Sequence, residues 1–218
     1  MGATTYNKAA KIAGYFFVIY YIVGLVGLTL PATREMFTGL MPLTLLLSAA
    51  ILLFFHRKWR STDAIVLLFI AITGYLIEVL GVLTGYVFGV YEYGSALGFK
   101  LFGTPLIIGL NWMMLTYCVY AILEDTKLFW PLKALTAAVL MVAYDVVMEP
   151  VAMRLDMWDW PPNSVVPMQN YQAWFIISLV FLAAMHLAKI KTNNKVAPWL
   201  FGVQFAFFLA LNLTLRIV

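Results

Sequence analysis

PLKALTAAVLMVAYDVVMEP, residues 131–150, is the stretch on which the fold turns. Its apolar residues run on without the alternation of a half-buried strand. Coiled as a helix at about 1.5 Å per residue, a run of this length reaches about 30 Å, the depth of a bilayer's hydrocarbon core. Only helices and closed barrels cross that core with their backbone groups satisfied. The stretch therefore predicts a membrane helix. Its last turns nevertheless carry two carboxylates, Asp145 and Glu149.

Working outward, six more runs of similar character lie near residues 11–30, 38–55, 63–83, 103–123, 171–189 and 196–216. The expectation is an all-α polytopic protein of about seven transmembrane helices, with residues 1–218 forming a single membrane domain. Composition agrees. The chain has 218 residues, 64% hydrophobic and only 11% charged, against about 25% charged in soluble domains. The first run follows Lys8 and Lys11 but is long and rich in Phe and Tyr, so it reads as a span rather than a cleaved signal. A single cysteine, Cys118, excludes an internal disulfide.

Charge supplies orientation. With these spans, ten of the fourteen Lys and Arg residues fall on the side of the N-terminus, and Arg34, Lys100, Arg154 and Arg216 fall on the other. Positive charge collects on the cytoplasmic side, so the N-terminus is expected in the cytoplasm and the protein in the cytoplasmic (inner) membrane. The basic residues sit in short connections between spans, which argues against nucleic acid as a partner.

The polar residues within the spans gather at the opposite, outer end. Glu78, Asn111, Asp145 and Glu149 all fall in roughly the outer third of the membrane at helical rise. Two long connections, 84–102 and 151–170, close on the same side. Their segments GYVFGVYEYG and MWDWPPNSVVPMQNY are rigid and aromatic, so they are expected to pack on the bundle as binding loops. Asp145 and Glu149, four residues apart, share a helix face about 5–6 Å from one another. Such a pair can hold one shared proton.

Structural readings stand beside these. Glu149 precedes Pro150, which is expected to end the helix, and reads equally well as an interfacial acid. Asp145 could be satisfied by a hydroxyl, an amide or Arg154. Asn111 suits interhelical adhesion, as do Gly81, Gly85 and Gly89 at their spacing of four. His56, His186, Trp59 and Trp199 read as interfacial. No HxxxH or HExxH pattern is present, so no metal site is expected, and no GxSxG, P-loop or GxGxxG suggests a hydrolase or a nucleotide cofactor.

Acids beside Tyr86, Tyr91, Tyr93, Trp158, Trp160, Tyr171 and Trp174 suit one kind of chemistry. A carboxylic acid protonates an isolated carbon–carbon double bond of a lipid, and aromatic faces stabilise the resulting cation. Capture by water gives a tertiary alcohol, and capture by an internal double bond gives a ring. Composition does not choose between them.

The stretches GVLTGYVFGVYEYGSALGFKLFGTPL, LNWMML, YDVVMEPVA and MWDWPPNSVVPMQNYQAWF resemble the membrane carotenoid 1′,2′-hydratases, the γ-carotene and bisanhydrobacterioruberin hydratase group of carotenoid biosynthesis proteins. The resemblance covers most of residues 74–185. It implies cofactor-free addition of water across the terminal 1′,2′ double bond of a linear ψ end-group. By the same resemblance, Asp145 is the proton donor and Glu149 shares its proton or orients water. Glu78 is the alternative acid, and Asn111 and Asn170 hold water or a carboxyl. Trp158, Trp160, Tyr91, Tyr93 and Trp112 line the substrate. The family pattern has Asp where this chain has Glu149, and Gly where it has Ala173. The implied partners are a long-chain carotenoid such as γ-carotene or a lycopene-like polyene, water, membrane lipid and other carotenoid-pathway enzymes. An end-group cyclase and a non-enzymatic carotenoid- or lipid-binding protein remain as rivals. A retinal photoreceptor is excluded because APWLFGVQFAFFLALNLTLRIV, the last span, has no lysine. A transporter is disfavoured without internal repeats.

Overall fold

The computed structural model describes residues 2–215; Arg216, one of the four basic residues assigned to the outer side, lies outside them. Eight helices follow in order: α1 Ala3–Thr29, α2 Pro31–Gly39, α3 Met41–Phe54, α4 Ser61–Thr84, α5 Ile107–Glu124, α6 Trp130–Arg154, α7 Met168–Leu187 and α8 Ala197–Thr214. Six are long and apolar enough to cross a membrane, and counting the bent α2–α3 pair as one span brings the number to seven. The chain is an all-α polytopic membrane protein. Ile65, Leu68, Leu76 and Leu83 of α4 face outward, as a lipid-facing surface requires.

The second predicted span differs most. α3 covers most of the span expected over 38–55, but the connection before it is itself helical, and this α2 meets α3 at 55°. Proline opens both helices, at Pro31 and Pro42, where its missing N–H costs nothing. α2 buries none of its residues. Pro150 does not end α6, which runs on to Arg154. Proline deprives the carbonyl of Val146 of its donor and crowds that turn. At the next carbonyl, Val147, the side chain of Asn212 on α8 donates at 2.7 Å, the kind of substitute partner that lets proline persist in membrane helices.

α5 is the central post. It touches α3, α4, α6, α7 and α8, and Trp112, Met114, Leu115, Tyr117 and Cys118 along it are all buried. Its approach to α4 is very close, because a Cβ at Gly109 would lie 2.3 Å from the backbone oxygen of Ala71. Small residues permit such backbone contact. It sets Asn111 and Trp112 beside Glu78. The Gly81/85/89 spacing has a different meaning from the packing stripe expected. Gly81 makes room for the Phe88 ring, while Gly85 ends α4 at φ +68° and Gly89 stands in the loop at φ +109°.

The two long connections close over this end. Four short strands form there: β1 Glu92–Tyr93, β2 Lys100–Leu101, β3 Thr104–Pro105 and β4 Trp158–Asp159. β2 and β3 form a hairpin that takes residues expected at the start of a span, so α5 begins only at Ile107. β1 pairs antiparallel with β4, Glu92 opposite Asp159 and Tyr93 opposite Trp158.

Candidate active site

The β1–β4 pair converts two matching triplets, Tyr91-Glu92-Tyr93 and Trp158-Asp159-Trp160, into a lining. Side chains alternate across an extended backbone. The four aromatic residues therefore turn inward and are buried, while Glu92 faces out and Asp159 is only partly covered. The rings pack across the pair, Tyr91 on Trp160 at 5.0 Å and Tyr93 on Trp158 at 6.0 Å between centroids.

Each inward aromatic carries a polar tip, and each tip meets a carboxylate. Tyr91 and Tyr93 hydroxyls donate to Oε2 of Glu78 at 2.5 and 2.8 Å, and the Trp112 indole donates to Oε1 at 2.8 Å. Trp158 and Trp160 donate to Oε2 of Glu149 at 2.8 and 2.9 Å. From α7, the Asn170 amide spans both acids of α6, donating to Asp145 Oδ2 at 2.7 Å and to Glu149 Oε1 at 3.2 Å. An indole N–H only donates. The oxygens facing Trp112, Trp158 and Trp160 are therefore acceptors and hold no proton in these contacts.

One acid oxygen is left over. Asp145 Oδ1 is fully buried and has no hydrogen-bond partner among the described residues. Asn111 is also buried and its side chain makes no hydrogen bond among the described residues, so adhesion between helices is not what it does here. Glu149 is 2% exposed, which overturns the reading of an interfacial acid at a helix end. Of the partners considered for Asp145, the structure uses an amide, Asn170, and leaves Arg154 exposed.

These groups surround a chamber of about 30 Å³, room enough for a water molecule or two. Glu78, Tyr91, Tyr93, Asn111, Trp112, Asp145, Glu149, Trp158, Trp160 and Asn170, every site residue expected from the sequence, line it. Trp174, grouped with the acids in the sequence, lines it too, as do Phe88, Ile108 and Met148, which were not expected there. Trp174 lies over Trp112 at 4.3 Å. Of the other loop aromatics, Tyr86 is 86% exposed, and Tyr171 lines an outer groove between α6 and α7 instead.

Beside the chamber is a second, larger cavity of about 340 Å³. Ile108, Asn111, Met148 and Trp158 line both. The remaining walls come from α1, α2, α3, α6 and α8 and from the two long connections, among them Gly24, Leu28, Phe37, Leu45 and Phe207, and are mostly apolar. Val23 and Leu40, at 53% and 41% exposure, carry its wall to the outer surface of the bundle. Its polar groups are largely committed to one another: Tyr21 to Ser48 at 3.0 Å, Gln204 to Tyr21 at 2.7 Å and Tyr20 to Thr44 at 3.0 Å.

At the other end of the bundle, His56 is not interfacial but buried, bonded to Tyr117 at 2.8 Å and Asp63 at 3.3 Å. His186 is exposed and stacks on Trp130. Among the described residues no group of three or more His, Cys, Asp or Glu could hold a metal ion.

No curated protein and no solved structure matches this chain. A family model described as "carotenoid biosynthesis protein" matches residues 16–218. With an acid-lined chamber opening beside an apolar cavity inside a membrane bundle, the chain belongs to that carotenoid biosynthesis protein family.

Proposed function

We propose that this protein hydrates the terminal 1′,2′ double bond of a linear carotenoid ψ end-group. The observation that carries the reading is Asp145 Oδ1, a buried carboxyl oxygen without a partner, in a water-sized chamber that shares walls with an apolar cavity.

The neighbouring oxygens divide the labour. Glu78 and Glu149 each accept from three N–H or O–H donors, whereas Asp145 accepts from one. Asp145 is then the carboxyl with an oxygen free to carry a proton and give it away. The O–H bond of Asp145 breaks as a C–H bond forms on the less substituted alkene carbon. The alkene's π pair makes that bond and leaves a tertiary cation. Trp158, Trp160, Tyr91 and Tyr93 hold it by their electron-rich faces. Water, positioned by Asn111 and Glu149, gives a lone pair to the cation. The oxonium returns its proton through Glu149 to Asp145, so one water is added and both acids are regenerated.

A polyene of this class is about as long as a bilayer is thick. One end enters the cavity while the rest remains in lipid. The charge distribution supports an N-terminus in the cytoplasm, with the acids toward the outer face.

The test is expression in cells that make lycopene and γ-carotene, with pigments resolved by mass and absorbance. Wild type is expected to give products heavier by one water with an open chain. Asp145→Asn keeps the side-chain shape and loses the proton, and a general acid contributes about 10²–10⁴ in rate. Normal turnover by Asp145→Asn would remove the acid assignment. A cyclised product of unchanged mass would replace hydration by ring closure at the same site.

A further inference from the structure

The end of the bundle opposite the acids has a partly buried polar network that the chemistry above leaves unused. Glu124 follows Asn111 by thirteen residues on α5, about 20 Å of helix. There Arg60 is held by Asp63 at 2.9 and 2.6 Å and reaches on to the carbonyls of Ala188 and Lys189 at 3.3 and 2.9 Å. Tyr120 donates to the carbonyl of Ile190 at 3.2 Å. The Glu124 carboxylate accepts the N–H groups of Thr192 and Asn193 at 3.1 and 3.0 Å. Tyr6 donates to the carbonyl of Asn193 at 2.9 Å. The connection from α7 to α8 has no regular structure, and such segments are ordinarily mobile. This one is fastened at successive residues.

What it presents is charge. Lys189 and Lys191 project from the fastened segment, and Lys133 stands across from them on α6. Lys189 holds φ +53°, a conformation that glycine adopts far more readily. The three lysines rim a cavity of about 390 Å³ with Leu123, Ala137 and Leu182 among its apolar walls. The His186 ring, stacked on Trp130 at 3.8 Å, walls one side. The cavity's own acid, Glu124, is engaged by the segment's N–H groups; Lys133 donates to the Glu124 carbonyl at 2.8 Å, and the ion pairs among the described residues involve none of the three lysines.

We propose that this cavity binds the phosphate of an anionic membrane lipid, with the headgroup among Lys133, Lys189 and Lys191 and the first acyl carbons against the apolar walls. Basic pockets between helix ends at the membrane surface suit such headgroups. Free phosphate shares the anion but not the acyl chains, so the two sources can be told apart. The proposal does not depend on which carotenoid reaction the protein performs.

The experiment uses the full chain in lipid nanodiscs. Trp130 emission is taken as the difference between wild type and Trp130→Phe. Nanodiscs are doped with brominated phosphatidylglycerol or brominated phosphatidylcholine. Stronger quenching by the phosphatidylglycerol is expected. The combined Lys133→Gln, Lys189→Gln, Lys191→Gln variant should weaken it about a hundredfold in apparent affinity, each lysine contributing about a factor of five near an anionic surface. Equal quenching by the two lipids in wild type would overturn the proposal without any need for the variant to fold. Reversal by millimolar inorganic phosphate alone would overturn the lipid assignment in favour of the free anion.

Discussion

Replacing Trp158 by Phe removes one N–H and keeps the ring. The same is true of Trp160. Both indoles donate to one oxygen of Glu149, at 2.8 and 2.9 Å in a fully buried setting. A hydrogen bond to a charged group contributes about 1.5–3 kcal/mol. If Glu149 takes up the proton released by the attacking water, each deletion should slow the reaction about 10- to 150-fold at about 1.4 kcal/mol per decade. The double variant leaves Oε2 without a donor, and its loss should exceed that of either single change. Because both donors share one atom, the effects should not simply add; coupling of about 0.5–3 kcal/mol is typical of such neighbours. The assay is the initial rate of hydrated product from purified protein in lipid with a γ-carotene or lycopene substrate, read by mass. Trp174→Phe is the control. Its ring lines the same chamber, but its N–H has no partner among the described residues, so the rate should stay near wild type. Folded single and double variants at wild-type rate would refute the role given to Glu149. An equal loss in Trp174→Phe would show that ring volume, not the donated proton, is what matters.

Leu45→Trp on α3 fills the apolar cavity without touching the acids; product formation should fall about tenfold or more, the melting temperature should fall only by the few degrees that an overpacking cost of about 1–3 kcal/mol allows, and an unchanged rate would remove the cavity from the substrate path. Burial pushes His56, between α3 and α4, below its ordinary value of 6.5, with Asp63 pulling the other way. The unfolded chain therefore binds the proton first as pH falls, so stability should be level above about pH 6.5 and decline below it. Melting temperatures at about pH 8 and about pH 5 test this: wild type should drop, His56→Gln should drop less, and an equal fall in both would exclude His56 as the cause.

Hydropathy made the spans readable because lipid demands a long apolar helix whatever it packs against. The Asp145–Glu149 pair was readable for the same reason: helical spacing fixes which residues share a face. What failed to show was set by contacts between distant segments. Pro150 looks like a helix end until Asn212, sixty-two residues on, offers the Val147 carbonyl a donor. His56 looks interfacial until Tyr117 and Asp63 close around it. The short α2, which carries Arg34 and Glu35, reads as a polar connection, and nothing in it announces a helix meeting the apolar α3 at an angle. The loop aromatics were legible as a group, but Tyr86 and Tyr91 look alike in sequence. Only the register of β1 against β4 sends Tyr91 inward, while Tyr86 stays exposed.

The acid chamber and the apolar cavity draw on largely separate parts of the chain. Helices α4 to α7 and the paired triplets hold the carboxylates. Much of the greasy wall belongs to α1, α2, α3 and α8. On the chemistry proposed, selectivity and reactivity would therefore be written in different helices. A homologue could exchange residues such as Gly24, Phe37 or Leu45 to admit a longer, shorter or bulkier isoprenoid while the proton-handling groups stayed untouched, which makes the first three helices the natural target for redirecting this scaffold to new pigments.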